Sequence, residues 1–201
     1  MLKAGLTGGL ASGKTFVAAE LEKLGCHTIS ADRLGHEVLM RDGEAYDEVV
    51  REFGSAIVGS NGEIGRKALG GIVFADPERL KVLNALVHPH VFRRQEKLLE
   101  QIRERDPGAV VVSEAAIMIE SGSYKRYDCL IVTVCPHELQ IDRYREREGA
   151  SEADARARLA RQMPLEEKRK YADYVIDTSG TKAETVRQVA ELYRRLKQEA
   201  A

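Results

Sequence analysis

Two kinds of apolar pattern alternate along this chain. Short continuous apolar runs occur at 2–6, 26–30, 109–113, 129–134 and 174–177, and between them apolar residues recur every three to four positions. Runs such as AVVVS and CLIVTV have no polar alternation, so both faces of those strands must be covered. Strands buried on both faces and separated by helices predict an α/β fold, a parallel β-sheet flanked by helices.

Two stretches exceed what a simple crossover needs. The first, 34–106, reads as helices in EAYDEVVREFG, in RKALGGIVF and in the long segment that begins DPERLKVLNALV. The second, 136–170, reads as helices in QIDRYRERE, SEADARARLARQ and PLEEKRKYA, broken at Gly149 and Pro164. The expected division is a core of residues 1–33, 107–135 and 171–201, a substrate-binding helical insertion at 34–106, and an arginine-rich lid at 136–170. Pro89, in HPH, is expected to end one helix and open another. No internal repeat, low-complexity tract or long linker interrupts this plan.

Composition narrows the class. Of 201 residues, 43% are hydrophobic and 31% charged, which suits a globular chain with an aliphatic core and argues against disorder. A net charge of −1 leaves no global basic field for nucleic acid or an anionic membrane, so any anion site must be local. The first residues lack the charged start and long apolar stretch of a secretion signal, and no run reaches membrane-spanning length. A cytoplasmic monomer is therefore expected. Cys26, Cys129 and Cys135 sit in or beside strand-like runs without C-x-x-C spacing, as buried free thiols would; a metal or redox role is the other reading.

The local anion site is legible at once. Gly8, Gly13, Lys14 and Thr15 in GLTGGLASGKT fit G-x-x-x-x-G-K-[ST], between a strand and the helical pattern FVAAELEKL. Glycines let successive N–H groups turn inward around a phosphate, and the following helix adds free N–H groups and the positive end of its dipole. Gly8, Gly9, Leu10, Ala11, Ser12, Gly13, Lys14 and Thr15 are thus the expected phosphate cradle. Lys14 supplies charge for the β- and γ-phosphates, and the Thr15 hydroxyl is placed to ligate Mg²⁺. Asp32-Arg33-Leu34-Gly35 could pass for a GTPase D-x-x-G, but no N-K-x-D follows anywhere in the chain.

A phosphate loop names a ligand class and not a reaction. Asp32 closes HTISAD at the carboxyl end of the second strand, where ligands of open parallel sheets lie, so it can accept a proton from an attacking hydroxyl; it can equally cap a helix starting near Arg33. Glu114 ends the third strand as a candidate for the Mg²⁺ shell, and Glu120 follows as a substrate- or loop-positioning acid; a solvated cap is the alternative for both. Most cations of the second long stretch, Lys168-Arg169-Lys170 included, read as a solvated face laced with i,i+4 pairs, while Arg143, nearest the fourth strand, is the candidate to neutralise the transferring phosphoryl group. His88 is open between a cap and a contact to substrate phosphate, and His88-Pro89-His90 lacks a third ligand at metal spacing.

These residues carry a resemblance. GLTGGLASGKT, ISAD, RKALGGIVF, LNALVHPHV, QIDRY and ARLARQMPLEEKRKYADYVIDTSG, with Arg158, Gln162, Lys168, Ala172 and Asp173 in place, resemble the dephospho-coenzyme A kinases over nearly the whole chain. The chain departs from that pattern in three places. Ser30 stands where the family has the first acid of Asp-Ala-Asp, 114–120 keeps both acids but loses a proline and an aromatic, and Thr178 stands where the family commonly has Asn beside the nucleotide base. The resemblance implies a P-loop kinase core, a helical CoA-binding insertion and a lid, with ATP and Mg²⁺ used to phosphorylate the ribose 3′-hydroxyl of dephospho-CoA. It implies ATP contacts at 8–15 and Thr178, substrate contacts at Asp32, His88 and Glu120, catalysis by Asp32, Lys14 and Arg143, and metal at Thr15 and Glu114. Another small-molecule kinase or a nucleotide-dependent switch would share the loop and differ in the acceptor.

Overall fold

The computed structural model describes residues 1–201 and realises the α/β expectation. In chain order the elements are β1 (Leu2–Gly8), α1 (Lys14–Lys23), β2 (His27–Ser30), α2 (Ala31–Glu37), α3 (Tyr46–Phe53), α4 (Arg66–Val73) and α5 (Pro77–Arg105). Then follow β3 (Val110–Glu114), β4 (Cys129–Val134), α6 (His137–Glu148), α7 (Glu152–Leu159), α8 (Leu165–Arg169), β5 (Tyr174–Asp177) and α9 (Lys182–Ala200). The chain forms two compact units, a sheet unit of Met1–Ser30 with Ile102–Ala201 and a helical unit of Ala31–Gln101.

The sheet has the order β2-β3-β1-β4-β5 and every pairing is parallel. Side chains along a strand alternate faces, so the unbroken apolar runs fill two cores. Leu2, Ala4 and Leu6 of β1, with Cys129 and Ile131 of β4, pack against Val17 and Leu21 of α1 and Val189, Leu192 and Leu196 of α9. Leu130 and Val132 point the other way, onto Met118 and Ile119, with Tyr124, Tyr127, Met163 and Ala172 around them. The capping box of α9 at Thr181 and Glu184 fixes where that helix begins, two residues beyond the turn that follows β5.

Register decides what meets at the carboxyl edge of the sheet. Leu6 of β1 is opposite Glu114, the last residue of β3, and Gly8 is opposite Thr133 of β4. Ser30, the last residue of β2, is also opposite Glu114. The chain leaving β1 therefore emerges between an acid and a hydroxyl.

Within the helical unit, Arg94 of α5 reaches Glu37 of α2 at 3.0 Å and Glu44 at 2.7 Å, and its guanidinium holds the Glu44 carboxyl below the usual range. Arg79 lies 4.3 Å over the Phe53 ring and pairs with Glu52 at 2.6 Å. One expectation fails here. Pro89 does not separate two helices; α5 runs unbroken through it for 29 residues. The carbonyl deprived of its donor is that of Ala85, and both Ala85 and Pro89 are exposed, so water can replace the missing bond.

Pro89→Ala should restore that backbone bond and raise the urea midpoint at unchanged slope, a gain of about 1–3 kcal/mol given the usual cost of an interior proline. A lower midpoint would show that the ring makes contacts worth more than the bond it removes.

Candidate active site

The turn from β1 into α1 is held by its own atoms and by three neighbouring elements. Lys14 folds back so that Nζ donates to the Gly8 carbonyl at 3.2 Å and the Gly9 carbonyl at 2.9 Å. Ser12, fully buried, donates to the Gly9 carbonyl at 2.9 Å and shares a 2.7 Å hydrogen bond with Thr133 of β4. Gly13 caps α1 at φ 86°, and a Cβ there would press on the Thr178 side chain at 3.0 Å, so both strain and space select glycine. An α-helix leaves its first N–H groups without partners of its own turns, and α1 begins directly after the loop.

Thr178, just past β5, links the loop to α6. Its hydroxyl donates to the Ser12 carbonyl at 3.0 Å and accepts from Arg143 Nη1 at 3.1 Å, while Nη2 of the same guanidinium donates to the Thr178 carbonyl at 2.7 Å. Arg143, expected to serve the triphosphate, is thus already fixed one residue's width from the phosphate loop. Cys135 lies in the same network, where burial raises its pKa against the opposing pull of Arg143 and Thr178.

On the β3 side, the Thr15 hydroxyl donates to Glu114 Oε1 at 3.0 Å. Both groups offer hard oxygens, the donor type Mg²⁺ takes when it also keeps waters and phosphate oxygens, so the residues present fit that ion. No cluster of three or more His, Cys, Asp or Glu side chains stands ready to hold a metal without such help. All three cysteines are buried, and burial pushes the thiols of Cys26 and Cys129 up to about 11 and about 12.

Several sequence expectations change. Asp32 is not a helix cap: α2 begins at Ala31 and places Asp32 inside its first turn. His88 is half-buried in α5, its ring 5.7 Å from that of Phe92, and burial lowers its pKa. Lys168 is no part of a solvated face. Its side chain is 0% exposed, and Nζ pairs with Glu120 at 2.8 Å and donates to the Ala116 carbonyl at 2.7 Å. The same Glu120 carboxylate accepts from the Met163 backbone, so it holds the turn before α8 against the segment after β3.

Two side chains outside the expected set also reach the loop. Gln140 Nε2 donates to the Leu10 carbonyl at 2.7 Å, and the Leu10 N–H donates to Gln162 Oε1 at 2.8 Å. In sequence, the signal for both was their place in the QIDRY and ARLARQ segments, which carry no chemistry by themselves.

The model of the dephospho-CoA kinase family matches residues 2–184. A dephospho-CoA kinase of Aquifex aeolicus (strain VF5) is 41% identical over 196 residues, covering 98% of this chain and 98% of the relative. Among solved structures, TT1252 from Thermus thermophilus superposes with a TM-score of 0.86 at 34% identity, covering 96% of each chain. A dephospho-CoA kinase from Campylobacter jejuni superposes with a TM-score of 0.69 at 28% identity, covering 99% of this chain and 98% of its own.

The buried pair makes its own prediction. Lys168→Met should cost about 2–4 kcal/mol in denaturant unfolding because Glu120 loses its counter-ion, and adding Glu120→Leu should return more than half of that loss. A double variant no more stable than the single one would mean that Lys168 matters through the Ala116 carbonyl instead.

Proposed function

The chain belongs to the dephospho-CoA kinase family and catalyses the ATP-dependent phosphorylation of dephospho-CoA, the last step of CoA synthesis; from that premise we propose which of its residues perform each part of the reaction. The observation that carries the assignment is the phosphate loop at the centre of the sheet, with Lys14 on its inner side and Thr15 beside Glu114.

The N–H groups at the start of α1 and the Lys14 ammonium receive the β- and γ-phosphates of ATP. Lys14 exchanges its bonds to the Gly8 and Gly9 carbonyls for phosphate oxygens, a rotation of a flexible stem that leaves the backbone in place. Thr15 and Glu114 would hold Mg²⁺, which would draw charge from the phosphates. Arg143, fixed on Thr178, supplies positive charge for the oxygens of the transferring group.

Asp32 accepts the proton of the ribose 3′-hydroxyl. As that oxygen forms its bond to the γ-phosphorus, the bridging P–O bond breaks and its electron pair leaves with ADP. Support for Asp32 comes from its place in the chain, two residues beyond the end of β2, since ligands of open parallel sheets lie beyond the carboxyl ends of the strands. Ser30, the last residue of β2, offers a hydroxyl able to donate and accept. His88, whose charged form is disfavoured by burial, offers substrate a hydrogen bond.

ADP release with Mg·ATP tests the substrate reading when dephospho-CoA is run beside nucleosides, nucleoside monophosphates and a control without acceptor. Turnover should require dephospho-CoA, with the new phosphate located on the 3′-oxygen by fragmentation; turnover with another acceptor would refute the assignment. Asp32→Asn should lower kcat by about 10²–10⁴ with ADP affinity kept, the range for loss of a general base. Lys14→Ala should abolish turnover.

A further inference from the structure

Leu10 is held at both polar ends of its backbone by side chains from the helical stretch that follows β4. Gln140, buried on α6, donates to its carbonyl, and Gln162, between α7 and α8, accepts from its N–H. The fit is close, since a Cβ at Gly9 would come within 2.4 Å of Gln140 Nε2 and 3.2 Å of Leu165. The side chains of Leu10 and Ala11 pack on Ile141, Tyr144 and Ala155, so the same helices hold the loop tip by polar and apolar means. Ala11 is the one non-glycine residue of the chain with positive φ, 51°, a left-handed conformation that L residues keep only where their surroundings impose it.

From this geometry we propose that Gln140 and Gln162 are positioning residues for phosphoryl transfer. As a donor and acceptor pair they clamp Leu10, keep Ala11 left-handed, and tie the shape of the phosphate loop to the seating of α6, α7 and α8. The proposal rests on residues 8–15 being the phosphate site of the nucleotide. Because the clamp acts through the loop, it governs nucleotide affinity and leaves recognition of dephospho-CoA alone.

Gln140→Met and Gln162→Met keep length and remove the polar atoms, so each should weaken ADP binding, by calorimetry, about tenfold and raise KM for ATP to match. KM for dephospho-CoA should stay within twofold. The double variant should lose little more than either single one, since half a clamp holds nothing. ADP affinity within twofold of the parent in both single variants, or losses that simply multiply, would overturn the clamp.

The sense of each bond gives a second test, useful also if the methionine variants fail to fold. Gln162→Glu retains an acceptor for the Leu10 N–H and should stay within threefold of the parent. Gln140→Glu sets a carboxylate against the Leu10 carbonyl and should lose tenfold or more. Both add the same charge beside the same residue, so their difference reports the hydrogen bonds; equal losses would refute the proposal. Lys14→Ala run in parallel separates the two readings. If Lys14 is needed for ADP binding and turnover while the glutamines are not, only the clamp fails. If Lys14 is dispensable, the phosphate site itself has been misplaced.

Discussion

Bringing several N–H dipoles and an ammonium to one point at the end of β1 is the demand from which the sheet unit follows. Groups of like sign repel, and the chain must spend a left-handed alanine and a left-handed glycine to turn there. The answer is internal. Lys14 is bonded to the carbonyls of Gly8 and Gly9, Ser12 to the Gly9 carbonyl, and Thr178 to the Ser12 carbonyl, so these oxygens of the loop are occupied.

Parallel pairing then sets what can stand around that turn. Because β1 is central, its neighbours β3 and β4 end beside it, and their registers deliver Glu114 and Thr133 without any loop having to be long. Thr133 fastens Ser12 and Glu114 accepts from Thr15, so both flanks of the loop are tied to strands whose positions are fixed by two apolar cores. A site built this way inherits the rigidity of the sheet, which suits a reaction whose catalysis is mostly positioning and charge.

What the sequence made legible were features that local pattern encodes. All five strands lie where continuous apolar runs put them, β1 and β3 reaching a little further, and the phosphate loop is a contiguous motif. The misjudged features depend on distant partners. Lys168 looks solvated amid KRK and adjoining glutamates, yet Glu120 and the Ala116 carbonyl, about fifty residues away in the chain, draw it into a fully buried place. Pro89 looks like a break by its own chemistry, but the residue whose carbonyl it frees is exposed and the helix continues. Gln140 and Gln162 are uncharged and unremarkable until Leu10 is set between them.

The α6 helix draws these threads together through spacing alone. Gln140 and Arg143 are three residues apart and so share a face, one gripping Leu10 and the other, through Thr178, gripping Ser12. Ile141 and Tyr144, the next residue in each case, pack beneath Leu10 and Ala11. Four consecutive positions of the loop, 9–12, are therefore referenced to one helix, with Gly9 under the Gln140 amide. A guanidinium suits the second grip because its two nitrogens, held in one plane, reach the hydroxyl and the carbonyl of the same threonine, where a lysine would have a single nitrogen for both. The grip on Leu10 and the grip on Ser12 thus come from one helix, and any movement of that helix moves both.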